Sequence, residues 1–240
     1  MDHADIHFYF DPVCPFAWMT SKWVRMVQSQ RDYRVDWRFI SLRLVNANVD
    51  YSAQFPPEYE AGHTAGLRLL RVAARIRAEY GREAVGNYYA ALGAHIWDRE
   101  GASNDLGARR GTREFVEPVL RSLGLPLTVA DALDDPAWDA EIQAETDEAL
   151  SLTGKDVGTP ILHFEPPDGV AFFGPVISRL PNDDQAGELW DHVVALARFP
   201  GFAELKRSLR ERLQLSALGS REGQVGAMED WHGGSRRLKK

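Results

Sequence analysis

Cysteine is almost absent from this chain: among 240 residues, only Cys14 carries a thiol. A single cysteine cannot close an internal disulfide, which excludes the small secreted proteins whose folds depend on such bonds. Reduction of a substrate by two electrons through thiols consumes two thiol groups, so this chain can supply only one of them.

Long apolar runs are also missing. No stretch approaches the ~20 residues that a membrane span requires. The first five residues, MDHAD, are polar and acidic instead of forming a secretory signal. The net charge is −7, and no basic stripe is interleaved with aromatic residues. We therefore expect a cytoplasmic protein that binds neither membranes nor nucleic acids.

Motifs for metals and phosphates are missing too. The seven histidines show no metal-ligand spacing. There is no glycine-rich phosphate loop and no Gly-x-Ser-x-Gly nucleophile elbow. We expect neither a metal ion nor a flavin.

The first elements that the sequence predicts are a strand, a helix and a second strand. The apolar run Ile6–Phe10 predicts a strand buried on both faces. Apolar residues then recur with the period of a helix over residues 14–30, at Phe16, Met19, Trp23, Met26 and Val27. Residues 33–40 alternate between apolar and polar, which predicts a second strand. Such a β-α-β unit is normally parallel and right-handed.

The next hundred residues are helical. Residues 41–51 have no clear period and predict a loop, and strand signals then vanish until about residue 154. Helices are predicted near 69–80, 85–97, 112–123, 129–133 and 138–152, with Glu141, Glu145 and Glu148 on a solvated face of the last one. Strands return at 161–164 and 170–173, joined by the turn sequence EPPDG at 165–169. Helices are predicted near 185–197 and 202–213.

This order, β-α-β, helical block, β-β-α, is an α/β thioredoxin fold with a mixed sheet and a large all-helical insertion. We predict the first part of the thioredoxin domain at residues 1–50, the insertion at 51–155 and the second part at 156–213. The tail, 214–240, is rich in glycine, serine and charge and is expected to be partly disordered.

Cys14 lies at the predicted start of the first helix, directly before Pro15. Free backbone N–H groups and the positive end of the helix dipole favour a thiolate there, which is the nucleophilic form. The alternative is that Cys14 is a buried small hydrophobe, the usual role of a lone intracellular cysteine. Thioredoxin folds hold a cis proline before their third strand, opposite the cysteine, and Thr159-Pro160 occupies that place. The Thr159 backbone would then pair with an extended thiol ligand.

Four segments resemble a known family. They are DPVCPFAW at 11–18, SLRLVN at 41–46, DVGTP at 156–160 and VAFFGPVISR at 170–179. Together they look like the DsbA-type thioredoxin-fold proteins of actinobacteria, and most like mycothiol-dependent nitroreductases. The similarity covers about residues 6–207. It implies mycothiol or a similar low-molecular-weight thiol as co-substrate, an aromatic or disulfide substrate, and a homodimer.

One position departs from that family. Ala17 stands where the members usually carry a second cysteine, so the motif is Cys14, Pro15, Phe16, Ala17. The second thiol must then come from a small molecule or a partner protein. Ala17 is either natural or an engineered replacement that traps a mixed disulfide. Kappa-class glutathione transferases and 2-hydroxychromene-2-carboxylate isomerases share the fold and resemble the motif with serine in place of Cys14.

The resemblance assigns the following candidate site. Cys14 is the nucleophile. Gly158, Thr159 and Pro160 align the thiol co-substrate. Phe16 and Trp18 form a wall for an aromatic substrate, or are plain core.

Three further candidates carry polar groups. Ser178 and Arg179, after the last strand, hold a carboxylate. The alternative for Arg179 is a surface ion pair. Asn46 lines the cleft or caps a turn.

The function expected is a thiol-dependent oxidoreductase that works through a mixed disulfide on Cys14 and reduces nitroaromatic or disulfide substrates. The alternatives are a transferase or isomerase of the kappa type and a redox-silent binding protein.

Overall fold

The computed structural model describes residues 4–54, 58–99, 102, 107–154, 156–219, 228–232 and 235–236. Strand β1 (Ile6–Phe10), helix α1 (Pro15–Gln30) and strand β2 (Val35–Phe39) form a parallel β-α-β unit in which Phe8 is paired with Trp37. The alternating side chains of β1 are buried on both faces, as the apolar run predicted.

Helices alone fill the described part of the chain between β2 and residue 160. They are α2 (Leu42–Val45), α3 (Tyr51–Gln54), α4 (Glu58–Tyr80), α5 (Arg82–Gly93), a π-helical turn (Ala94–Asp98), α6 (Arg113–Ser122) and α7 (Asp139–Thr153), with 3-10 segments at Gly107–Gly111, Leu127–Asp134 and Pro136–Trp138. The segment at 41–51, predicted as a loop, contains α2 and the first residue of α3. The Asp11 carboxylate accepts the N–H of Leu42 at 2.8 Å, so a residue remote in sequence caps α2.

The prediction of a solvated acidic face on α7 is wrong for Glu145. This side chain is buried, and its two oxygens have partners in two different elements. One accepts the Phe39 N–H at 2.8 Å, and the other pairs with Arg77 of α4 at 2.8 Å. Glu145 therefore joins the insertion to the sheet.

The sheet is completed after the insertion. Strand β3 (Ile161–Phe164) lies antiparallel to β1, and β4 (Ala171–Phe173) lies antiparallel to β3, which gives the order β2-β1-β3-β4. Helix α8 (Asp183–Ala197) packs beside α1, where Trp23 and Trp190 meet edge to face at 5.4 Å. The predicted thioredoxin fold with a mixed sheet is confirmed.

The prediction of a helix over 202–213 is wrong. Residues 202–207 have no regular structure, and Leu209–Glu211 is strand β5. Leu205 and Leu209 are 79% and 56% exposed, so these two side chains do not pack on the core. Backbone pairing with β6 (Met228–His232), itself paired with β7 (Ser235–Arg236), fixes the extended form.

The tail that was expected to be partly disordered contains regular structure at Ser216–Leu218, in β6 and in β7. The remaining tail residues, 220–227, 233–234 and 237–240, lie outside the described part of the chain.

Candidate active site around Cys14

Cys14 caps the N-terminus of α1. Its backbone N–H donates to the carbonyl of Asp11 at 3.0 Å, which closes a tight turn after β1. Pro15 occupies the first helical position, where no N–H is needed. The Cys14 sulfur accepts the N–H of Ala17 at 3.5 Å. The sequence placed the sulfur correctly at the helix start.

The loop before β3 faces this sulfur. The Thr159–Pro160 peptide bond is cis. The Cys14 thiol donates to the Thr159 carbonyl at 3.2 Å, and the Thr159 hydroxyl donates to the Tyr9 carbonyl at 3.1 Å. A carbonyl accepts only from a protonated sulfur. The 3.2 Å contact with the Thr159 carbonyl therefore fits the thiol form of Cys14.

The expected activation of Cys14 does not hold in this state. The side chain is only 7% exposed, and burial raises the pKa of the Cys14 thiol to about 12. The N–H of Ala17 lowers this pKa, as a helix start should, while the Asp11 carboxylate raises it further. Loss of hydration outweighs a single 3.5 Å hydrogen bond, because an anion without water is strongly disfavoured.

Asp11 is a second buried ionisable group, and sequence reasoning did not single it out. Its two oxygens accept the N–H groups of Val13 at 3.0 Å and Leu42 at 2.8 Å. Burial raises the pKa of Asp11 from 3.8 to about 7, although both hydrogen bonds lower it. A Cβ on Gly66 would lie 2.6 Å from its carboxylate, so α4 can approach this closely only with glycine at that position. The feature of the sequence that could have indicated Asp11 is its position as an acidic residue directly before Pro-x-Cys.

The predicted aromatic wall is not at the surface. Trp18 is 3% exposed, its indole N–H donates to Asp98 at 3.1 Å, and it meets the Tyr89 ring edge to face at 5.7 Å. Phe16 is buried in the same apolar cluster as Cys14. Phe16 and Trp18 are therefore part of the core, the alternative given for both positions. For Trp18 the reason is that α5 of the insertion packs against this side of α1.

The other predicted site residues are divided between two places. Gly158 and Pro160 adjoin Thr159, and the Pro160 carbonyl accepts the N–H of Gly174 at 2.9 Å. Ser178 and Arg179 lie at the C-terminal segment: the Ser178 carbonyl accepts the Gln214 N–H at 2.9 Å. Arg179 forms an exposed ion pair with Glu211 at 3.3 Å.

Asn46 caps the end of α2. Its side-chain amide donates to the Leu42 carbonyl at 2.8 Å. This is the turn-capping alternative, and no contact joins Asn46 to Cys14 among the interactions of the described residues.

Arg210 of β5 is the residue near Cys14 that sequence reasoning missed. Its guanidinium carbon lies 5.0 Å from the centre of the Phe16 ring, and its charge lowers the pKa of Cys14. The segment was predicted to be helical, so no pattern indicated that this arginine would meet the start of α1.

The described residues contain no group of three or more His, Cys, Asp or Glu side chains that could hold a metal ion. None of their helices combines the length and the apolar character needed to cross a bilayer.

Fold and site together define a thioredoxin-fold protein with a helical insertion and a helix-capping cysteine. Residues 13–207 match the family model described as "Rv2466c-like: Mycothiol-dependent nitroreductase Rv2466c". The chain belongs to this family, a family of thiol oxidoreductases, which confirms the resemblance noted from its motifs. The family model ends before β5.

Three known proteins are similar to this chain. Protein Rv2286c of Mycobacterium tuberculosis (strain ATCC 25618 / H37Rv) is 31% identical over 203 residues, which are 84% of this chain and 81% of that protein. A structure of 2-hydroxychromene-2-carboxylate isomerase is similar with a TM-score of 0.50 and 14% identity, over 80% of this chain and 96% of that one. The cytosolic disulfide reductase DsbM from Pseudomonas aeruginosa gives a TM-score of 0.48 and 15% identity, over 80% and 99%. At these identities, the likeness to the isomerase shows the fold alone.

Proposed function

We propose that this protein is a thiol-dependent oxidoreductase that forms a mixed disulfide between Cys14 and a low-molecular-weight thiol of the mycothiol type. The observation that carries this proposal is the position of the Cys14 sulfur: it caps α1 and faces the Thr159 carbonyl in a chain of the mycothiol-dependent nitroreductase family.

With Ala17 in place of a second thiol, the chemistry must use two co-substrate thiols. For a disulfide substrate XSSX, the Cys14 thiolate attacks one sulfur, forms Cys14–S–S–X and expels XS⁻. A co-substrate thiolate RS⁻ attacks the Cys14 sulfur of that bond, which expels the second XS⁻ and forms the mixed disulfide Cys14–S–S–R. A second RS⁻ attacks the sulfur of R, which gives RSSR and releases the Cys14 thiolate. The sum is 2 RSH + XSSX → RSSR + 2 XSH.

A nitro substrate requires the same two electrons. Reduction to the nitroso level takes up two electrons and two protons, and the balance is 2 RSH + ArNO₂ → RSSR + ArNO + H₂O. For the nitro substrate, Cys14 and one co-substrate thiol supply these electrons and protons: Cys14–SH + RSH + ArNO₂ → Cys14–S–S–R + ArNO + H₂O. A second RSH then attacks the mixed disulfide, which gives RSSR and regenerates the Cys14 thiol.

The Thr159 backbone has a second role in this proposal. When Cys14 is in a disulfide, its sulfur no longer donates a hydrogen bond, and the Thr159 carbonyl becomes free to accept an amide N–H of the bound co-substrate. Gly158 and Pro160 lie on either side of Thr159 in the loop that faces Cys14. Ser178 and Arg179 are proposed to bind a carboxylate once Glu211 releases the guanidinium.

A turnover assay tests the function. We expect mycothiol disulfide to accumulate in a 1:1 ratio with the disulfide or nitro substrate consumed, and we expect Cys14→Ser to abolish this turnover. Conjugation of thiol to an electrophile without oxidation would support a transferase instead. Inertness toward both substrate classes, in protein of confirmed fold, would contradict the proposal and leave a binding role.

A further inference from the structure

The chain continues past the range of the family model, and this continuation reaches Phe16, two residues from Cys14. We call Leu209–Leu218 the C-terminal cover. It is anchored to the loop after β4 through the hydrogen bond from Gln214 to Ser178 and the ion pair of Glu211 with Arg179. Its other end, Ser216–Leu218, packs on the π-helical turn of the insertion. The cover thus spans the site from one half of the fold to the other.

The cover also enters the core. Leu213, Leu215 and Ala217 are buried, and they belong to the same apolar cluster as Cys14 and Phe16. The segment is therefore a fixed part of the site and its arginine side chains have defined surroundings.

The arginines of this region differ in their partners. Arg212 lies two residues further along the chain and pairs with Glu229 at 3.2 Å, and Arg179 pairs with Glu211. Arg210 is half-buried over the Phe16 ring and has no carboxylate partner among the residues that the structure describes. A partly desolvated cation without a counter-ion is unfavourable unless an anion forms beside it.

Among the described residues, three charged or ionisable groups of the surrounding elements interact electrostatically with Cys14. They are Asp11 in the turn after β1, Tyr89 on α5 and Arg210 on β5. Ionised Asp11 opposes a negative charge on the sulfur, and burial raises the pKa of Tyr89, which keeps its hydroxyl neutral. Arg210 is the cation in this set.

We propose that Arg210 is a positioning residue of the Cys14 site, whose guanidinium pairs with the sulfur anion that Cys14 carries when it reacts. The inference deepens the proposed function and rests on it only in taking Cys14 as the reacting group. Removal of the Cys14 proton to a solvent base breaks the hydrogen bond to Thr159. The anion then turns toward the positive charge that the cover holds over Phe16.

Alkylation of Cys14 by the uncharged reagent iodoacetamide tests this pairing without any co-substrate. The thiolate forms a carbon–sulfur bond, iodide leaves and the proton goes to the buffer, so the rate reports the thiolate fraction. Rates are followed by intact mass at pH 7 to 9 in the full chain. We expect Arg210→Met, which keeps the bulk of the stem, to react about tenfold more slowly, the effect of losing one nearby opposite charge.

Two matched variants separate charge from packing. Arg210→Lys keeps the charge and should react within about threefold of the wild type. Arg212→Met removes a cation that directly follows the same strand and already pairs with Glu229, and this variant should react within about twofold of the wild type. Circular dichroism and urea unfolding verify each fold. If Arg210→Met does not fold, Arg210→Gln takes its place with the same expectation.

An alkylation rate of Cys14 that does not fall in Arg210→Met would overturn the proposal. If Arg210 only plugs the site, Arg210→Met opens the cover and Cys14 reacts as fast as in the wild type or faster. Equal slowing in Arg210→Met and Arg212→Met would also contradict the proposal, because a general disturbance of the C-terminal cover would then explain the slower reaction. The readout is independent of turnover, so a wild type that lacks oxidoreductase activity leaves this result interpretable.

Discussion

The buried carboxyl of Asp11 should make the free energy of unfolding depend on pH, and the size of this effect follows from its pKa. Its pKa is about 7 in the folded chain against 3.8 for an ordinary aspartate, so between these values the folded state binds a proton that the unfolded state lacks. A group with a raised folded pKa contributes stability at low pH, and this contribution is lost as the pH rises through the folded value. The full difference is worth about 4 kcal/mol, at about 1.4 kcal/mol for each pH unit.

Most of that loss falls in an accessible window. Between pH 5 and pH 8, the free energy of unfolding of the wild type should decrease by about 3 kcal/mol relative to that of Asp11→Asn, which cannot ionise. Asparagine costs about 1–3 kcal/mol at every pH, because it cannot accept both the Val13 and Leu42 N–H groups. The assay is urea unfolding of both proteins at half-unit pH steps.

Two other groups titrate nearby, and the comparison removes them. Burial lowers the pKa of His7 and of His63 to about 4. Their contribution to the free energy of unfolding therefore falls as the pH drops below 6.5, which is opposite to the effect of Asp11. Both proteins carry them equally. Asp36→Asn is the matched control: the Asp36 pKa is lowered, with Arg38 and Arg82 as its partners, so it is ionised in both states above pH 5. Parallel curves for the wild type and Asp11→Asn would refute the reasoning.

Two further predictions concern α1 and the helices around it. Ala17→Cys places a second thiol one turn from Cys14, and we expect it to raise the rate of reduction of a peptide disulfide by on the order of tenfold or more, measured with dithiothreitol as reductant; no gain in a folded variant would count against the redox interpretation. A Cβ on Gly93 would lie 2.2 Å from the Trp18 ring, whereas one on Gly62 would meet nothing within 4 Å. Gly93→Ala should therefore lower the unfolding free energy by about 3 kcal/mol and Gly62→Ala raise it by up to about 1 kcal/mol in urea titrations, and similar values for the two would contradict the packing.

Much of the fold follows from patterns that are local in sequence. The uniform apolar run of β1, the alternation of β2 and the turn sequence between β3 and β4 each specify their element, and their order specifies the sheet. The insertion was recognisable because no strand pattern interrupts it. The helix-capping position of Cys14 follows from one proline and one apolar period.

What could not be predicted depends on contacts between distant segments. The pKa of Cys14 is governed by burial under elements more than 70 residues away, which a helix start does not reveal. The cap of α2 by Asp11 and the buried pairing of Glu145 with Arg77 join residues that are 31 and 68 positions apart. Arg210 was invisible because its strand is defined by pairing with β6 and not by its own sequence.

The most direct test of the proposed Cys14 chemistry is the intact mass of the protein after incubation with oxidised mycothiol. We predict one adduct of a single mycothiol unit, located on Cys14 by peptide mapping, absent in Cys14→Ser and released by excess reduced thiol. A folded protein that forms no adduct over hours, while its denatured form does, would show that the Cys14 sulfur is structural, and it would contradict the proposed chemistry.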